Sequence, residues 1–188
     1  YKNIELIIIH YTAIKGKLNS IKYLCSNKNK VSSHFLISNK GEIYSLVSVK
    51  KRAWHAGQAY WRGHNDINSI SIGIELDYIP NNNNNRKYTK DLINSLIFLI
   101  GKLVKKYSIL SHNILGHSDI SPYRKIDPGS NFPWKILKNK KIISRIQKSQ
   151  KIKQIQQLLK KWLIKNKFIS DKRKKLLMLD YIGYDISL

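Results

Sequence analysis

Histidine, aspartate and glutamate side chains supply the sequence's candidates for chemistry. Six histidines occur, at positions 10, 34, 55, 64, 112 and 117. His10 and His117 stand out because each lies just past the end of an apolar, strand-like run, where α/β folds gather their site residues. Each also has small or hydroxyl neighbours, Tyr11-Thr12 and Gly116/Ser118. The stretch "GHSDISPYRKIDPG" (116–129) adds Asp127, ten residues after His117 and followed by a Pro128-Gly129 turn that would fix its carboxylate. Two neutral imidazoles and one carboxylate with an open fourth position make a catalytic zinc site. The same residues also read as ordinary loop polars, and spacing alone leaves both readings open.

Glu75 is a second candidate. In "SISIGIELDY", alternation places Ile70, Ile72 and Ile74 on one face and Ser71, Gly73 and Glu75 on the other. A carboxylate buried without a partner is costly. Glu75 therefore either pairs, faces a polar cleft, or ends its strand in solvent.

Strands and helices that would position these groups are legible. "IELIIIHYTA" is a continuous apolar run, the pattern of a strand covered on both faces. "SHFLISNKGEIYSLV" reads as two short strands joined at Asn39-Lys40-Gly41. Leu92, Leu96, Leu99, Leu103 and Tyr107 recur at helical spacing, with Thr89 as N-cap and Asp91 in the first turn, so a helix is predicted over about 89–107. "NILGH" is another strand-like piece. Interleaved strands and helices over 1–137 imply an α/β fold with a mixed central β-sheet flanked by helices.

From 138 the character changes. "KNKKIISRIQKSQKIKQIQQLLKKWLIKNK" is helical in period, and residues 138–188 hold 15 Lys+Arg against 3 Asp, half of the chain's net +24. The second segment is thus a small basic helical C-terminal appendage. Ile152, Ile155, Leu158, Leu159 and Trp162 would pack it on the core as a cap. Its charge suits electrostatic contact with anionic envelope surfaces, although lysine excess also follows from a composition rich in Lys, Ile and Asn. No nucleic-acid motif with stacking aromatics stands out, so no specific nucleic-acid partner is expected.

At 188 residues with 42% hydrophobic content, the chain is long and apolar enough to bury a core. No apolar run reaches the roughly 18–20 residues of a membrane helix. A single cysteine, Cys25, excludes an intramolecular disulfide and a cysteine-based zinc site. The chain opens at Tyr1 rather than methionine, which fits either a removed leader or trimming.

The motifs "IIIHYT", "AWHAG", "YWRG", "NSISIGIEL" and "GHSDISPYRKIDPGSNFPW", in that order, resemble the type-2 zinc N-acetylmuramoyl-L-alanine amidases, the AmpD/AmiD group related to peptidoglycan-recognition proteins. The resemblance covers about residues 4–137 and is nearest to the AmiD pattern. It implies a zinc amidase catalytic domain over 1–137 that binds one Zn²⁺ and cleaves the amide between N-acetylmuramic acid and L-alanine in peptidoglycan or muropeptides. It further implies His10, His117 and Asp127 as zinc ligands, with Glu75 and Lys125 as catalytic residues. His55, Tyr11 and Arg62 are implied near the substrate. Arg124 is left without a role, and Asp119 gives way to Asp127 as ligand. A non-catalytic peptidoglycan-binding protein on the same fold is the alternative, but such relatives typically lack part of this set. "LLMLDYIGYDIS" (176–187) resembles the opening of a peptidoglycan-binding module, which residues 138–188 would hold only in truncated form. The extra segment suggests the bacterial cell envelope or periplasm, with the cytoplasm as alternative.

Overall fold

The computed structural model describes residues 3–81, 86–122 and 124–143. Most of the basic appendage, including its proposed cap residues and the 176–187 motif, lies outside the described residues. Among those described, no helix is long and apolar enough to cross a membrane.

Five strands form one mixed sheet in the order β3-β2-β4-β1-β5. β1 (Leu6–Tyr11) is central and runs parallel to β4 (Ser71–Leu76) on one side and β5 (Ile114–Gly116) on the other. That position explains its unbroken apolar run, because both of its edges and both of its faces are covered. β2 (Phe35–Ile37) pairs parallel with β4 and antiparallel with β3 (Ile43–Ser45). The turn between β2 and β3 falls at Asn39–Gly41, as the sequence predicts. Gly41 has φ +85°, and a Cβ there would meet the Asp91 carbonyl oxygen at 2.9 Å. This glycine is needed both for the turn and for its close approach to the helix that begins at Lys90.

α2 (Lys90–Tyr107) matches the predicted helix, and Thr89 Oγ1 caps it by accepting from the Leu92 amide at 3.3 Å. Its stripe Leu92, Leu96, Leu99, Ile100 and Leu103 packs on Ile7, Ile9, Ile72 and Ile74 of the sheet. Burying each such side chain contributes about 1.5–3 kcal/mol. The opposite face of the sheet carries a smaller cluster of Leu6, Ile8, Ala56, Trp61, Ile67, Leu115 and Ile120. Ile70 belongs to this second cluster, not to the face of Ile72 and Ile74 that strict alternation predicts. The reason is local: Ile70 ends a 3-10 turn at Ile67–Ser69, so the two-residue period begins only at Ser71.

Three shorter helices complete the described residues, at α1 (Lys17–Leu24), α3 (His117–Ile120) and α4 (Trp134–Asn139). α4 crosses residue 137, and Leu137 and Ile143 are buried in the main core.

Candidate metal centre

Parallel pairing brings the site together. β1, β4 and β5 run in the same direction, so their C-terminal ends lie side by side. In register, Ile8 faces Gly73 and Leu115, and His10 faces Glu75. Two-residue alternation then puts His10 and Glu75 on the same side as the smaller cluster, and His117 follows directly on the end of β5. Asp127 arrives from the loop after α3. Its backbone carbonyl accepts from the Ser118 amide at 2.9 Å, and the next carbonyl, Pro128, accepts from the Tyr88 hydroxyl at 2.7 Å. Tyr88 in turn stacks on Tyr78 and meets Phe132 edge-on. A row of aromatic rings thus fixes the loop that carries the carboxylate.

His10 Nδ1, His117 Nδ1 and Asp127 Oδ2 form a triangle with edges of 2.9, 3.0 and 3.0 Å. All three residues are buried. The donor set tests whether a cation fits. His117 Nε2 lies 3.0 Å from the Ala56 carbonyl, which can only accept, so the proton of a neutral His117 belongs on Nε2. Its Nδ1 then offers a lone pair 3.0 Å from a carboxylate oxygen that also only accepts. Two acceptors so placed repel unless a cation lies among them. Two nitrogens and one oxygen suit a borderline divalent ion such as zinc.

The electrostatics agree. Burial, followed by the neighbouring His117, lowers His10 from 6.5 to about 4, against the hydrogen bond that Asp127 would offer the protonated ring. Its imidazole is therefore neutral at pH 7, the form able to ligate a metal. Burial alone would raise Asp127, but in the metal-free site a proton shared with His10 or His117 outweighs it and holds the carboxyl well below its usual range. Burial and then the negative charge of Asp127 push Glu75 up to about 8, with Lys125 opposing. Glu75 Oε2 is buried with no hydrogen-bond partner among the described residues. A divalent cation beside it would favour the carboxylate.

A cleft of about 500 Å³ opens over these groups. His10, Tyr11, Glu75, His117, Lys125 and Asp127 all line it, and Tyr23, Val31, Trp54 and Ile126 form apolar parts of its wall. Trp54 and Ile126 are conspicuously exposed for their size, at 56% and 73%. His55 also lines the cleft but is 6% exposed, and its Nδ1 sits 3.0 Å from His10 Nε2. Arg62 does not line the cleft. It occupies the left-handed region at φ 47°, with its guanidinium over the Trp61 ring; burial and then the Arg62 charge lower His112. The proximity to substrate expected of Arg62 therefore has no support in the geometry.

Arg124, left without a role by the sequence, donates from Nη2 to the Ala56 and Gln58 carbonyls, each at 2.7 Å. Asn68 was also missed. Its Oδ1 accepts from the His55 and Ala56 amides at 3.0 and 2.8 Å. Backbone carbonyls and amides carry no residue-type signal, so neither contact could be read from the sequence.

A mixed sheet with two imidazoles and one carboxylate converging at its C-terminal edge defines an α/β protein whose buried site could hold a divalent metal. The chain belongs to the N-acetylmuramoyl-L-alanine amidase family, whose pattern matches residues 1–130. It is 36% identical over 156 residues to the N-acetylmuramoyl-L-alanine amidase AmiD of Escherichia coli K12, covering 73% of this chain and 53% of AmiD. It is 35% identical over 151 residues to the 1,6-anhydro-N-acetylmuramyl-L-alanine amidase AmpD of Haemophilus influenzae, covering 71% of this chain and 80% of that protein. The chain spans about half the length of AmiD and of the Citrobacter freundii AmpD. Among solved structures, E. coli AmiD in complex with anhydro-N-acetylmuramic acid-L-Ala-D-γ-Glu-L-Lys superposes with a TM-score of 0.77 at 30% identity, covering 100% of this chain and 74% of that one. AmpDh3 of Pseudomonas aeruginosa with an anhydromuramic pentapeptide gives 0.79 at 26% identity, covering 98% and 76%.

Proposed function

We propose that the chain is a zinc-dependent amidase that hydrolyses the bond between the lactyl group of N-acetylmuramic acid and the L-alanine of a stem peptide. The observation that carries this reading is the unpartnered Glu75 oxygen beside a converging His10–His117–Asp127 triangle, inside an open cleft. The support from relatives is that AmiD and AmpDh3 have been solved with anhydromuropeptides.

His10, His117 and Asp127 would hold the zinc, which supplies Lewis acidity toward the amide carbonyl and toward water. Glu75 acts as general base on the attacking water and passes the proton to the departing alanine nitrogen. Its Oε2 is free for that proton, because among the described residues no donor competes for it. Lys125 lines the same cleft and stabilises negative charge as it develops on the carbonyl oxygen. Before attack its charge is repelled by the cation, so it favours the transition state over the ground state. Tyr11 and the apolar wall at Trp54 and Ile126 bind the substrate around the reacting bond.

The test is mass spectrometry of products from anhydro-muropeptides and from intact sacculi, with zinc content measured by atomic absorption. Free stem peptide starting at L-alanine is expected, and a chelator should abolish it. Binding without cleavage by the zinc-loaded chain would favour the non-catalytic peptidoglycan-binding alternative. The same reading assigns the protein to the cell envelope, on the AmiD-like pattern of its sequence. Fractionation of cells expressing the full gene product checks that assignment.

A further inference from the structure

Hydrogen-bond accounting behind the triangle can be followed outward from His10. Ser71 Oγ donates its one hydrogen to the Ile67 carbonyl at 2.6 Å. Toward His55 Nε2, 3.2 Å away, the same hydroxyl can therefore only accept. His55 then carries its proton on Nε2, and its Nδ1 is an acceptor. That acceptor faces His10 Nε2 at 3.0 Å, so His10 in turn is protonated on Nε2 and presents a bare Nδ1 to the triangle. A backbone carbonyl three groups away thus fixes which nitrogen His10 offers.

His117 is fixed by a different route through the same loop. The Ala56 carbonyl accepts from His117 Nε2, and its second lone pair accepts from Arg124 Nη2. The other hydrogen of Nη2 goes to the Gln58 carbonyl, so the guanidinium pins the loop on both sides of Gly57. Gly57 has φ +60°, and a Cβ there would approach Nη2 to 3.1 Å. Gly73 makes the corresponding room beneath His55, where a Cβ would meet the ring at 2.5 Å.

We propose that Ser71, His55 and Arg124 are positioning residues of the metal centre, Ser71 and His55 setting the ligating nitrogen of His10 and Arg124 that of His117. The proposal rests on the reading of His10, His117 and Asp127 as metal ligands. It gives Arg124 a role, and it makes His55 a support for a ligand as well as a residue of the cleft. The tautomer logic is general: a ligating imidazole is oriented by whatever accepts its other N–H.

The test is zinc affinity of the purified chain, by competition with a chelator of known affinity, with cobalt(II) absorption as a second readout. His55→Leu, Ser71→Ala and Arg124→Gln should each weaken zinc roughly 10- to 100-fold and alter the cobalt spectrum. His55→Asn, which keeps an acceptor near the Nδ1 position, should recover most of the affinity. Arg124 is exposed, so Arg124→Gln should keep the metal-free protein folded, with a much smaller change in thermal midpoint than His55→Leu, and it carries the test if His55→Leu does not fold. Parent-like affinity in Arg124→Gln and Ser71→Ala would overturn the proposal. So would losses that merely follow lost stability of the metal-free protein. If the parent chain itself bound no zinc, the metal-centre reading would fail instead.

Discussion

His10 and Glu75 occupy matched positions on adjacent parallel strands. One is a candidate metal ligand and the other a buried carboxyl with an unpartnered oxygen. Strand pairing therefore places the proposed base beside the proposed metal, with no loop to position it. Such placement on rigid elements is what proton transfer needs, because its efficiency depends on hydrogen-bond reach before it depends on pKa.

Replacing Glu75 by Gln keeps the shape and removes the base. The variant should fold and bind zinc, yet lose roughly 10²- to 10⁴-fold in kcat for muropeptide cleavage. A variant that cuts at the parental rate would exclude Glu75 as the base.

Lys125→Ala should act mainly on kcat. Removing a group that stabilises developing oxyanion charge typically costs about 10²- to 10³-fold, with KM changing much less. Steady-state kinetics on a defined anhydro-muropeptide separates the two. A loss confined to KM would make Lys125 a ground-state binding residue.

Stability of the metal-free protein should pass through a maximum near pH ~6.5. Burial lowers His10 and His34 from 6.5 to about 4, and burial also sets His55 well below 6.5. Below 6.5 the unfolded chain takes up protons on these rings before the folded chain does, so stability falls as pH drops toward 4. Glu75 works the other way. Raised from 4.5 to about 8 by burial first, it stays protonated in the fold while the unfolded chain ionises, so stability declines as pH rises from 4.5 to 8. Between 4.5 and 6.5 three imidazoles outweigh one carboxyl, and above 6.5 only the carboxyl remains. Denaturant midpoints in chelator across pH 4–8 check the shape. Added zinc should flatten the decline above 6.5, because a cation favours the Glu75 carboxylate.

Gly73→Ala should disturb both the core and the centre. The new Cβ would lie 2.5 Å from His55 Cγ, and the Gly73 amide already donates to His34 Nδ1 at 3.1 Å. Overpacking of this kind costs about 1–3 kcal/mol. Chemical denaturation measures the cost, and a parallel fall in zinc affinity would show that the displaced ring is the one supporting His10.

How much of this was readable in advance depended on whether the signal was local. The strand at residues 6–11, the hairpin turn at Gly41 and the helix capped by Thr89 were all legible, because hydrophobic period, turn glycine and N-cap chemistry reside in a few neighbouring residues. α1 carried only a weak apolar pattern, and Ile70 fell on the unexpected face because a 3-10 turn ends there. Arg62 shares its motif neighbourhood with the site, but it lies in a turn at Trp61–His64 with its guanidinium over the Trp61 ring and is not among the residues lining the cleft.

His10, Glu75, His117 and Asp127 were singled out from residue type, strand-end position and family pattern. The sequence by itself determined which groups were available and which strands would carry them. Only the tertiary structure decided that β1, β4 and β5 are parallel neighbours, which brings residues more than a hundred positions apart to within 3.0 Å. It alone also showed the hydrogen bonds of Ser71, the Ala56 carbonyl and Arg124 behind these groups. The reason is physical: hydrogen bonds to backbone carbonyls depend on where the chain passes, and that path is set by packing.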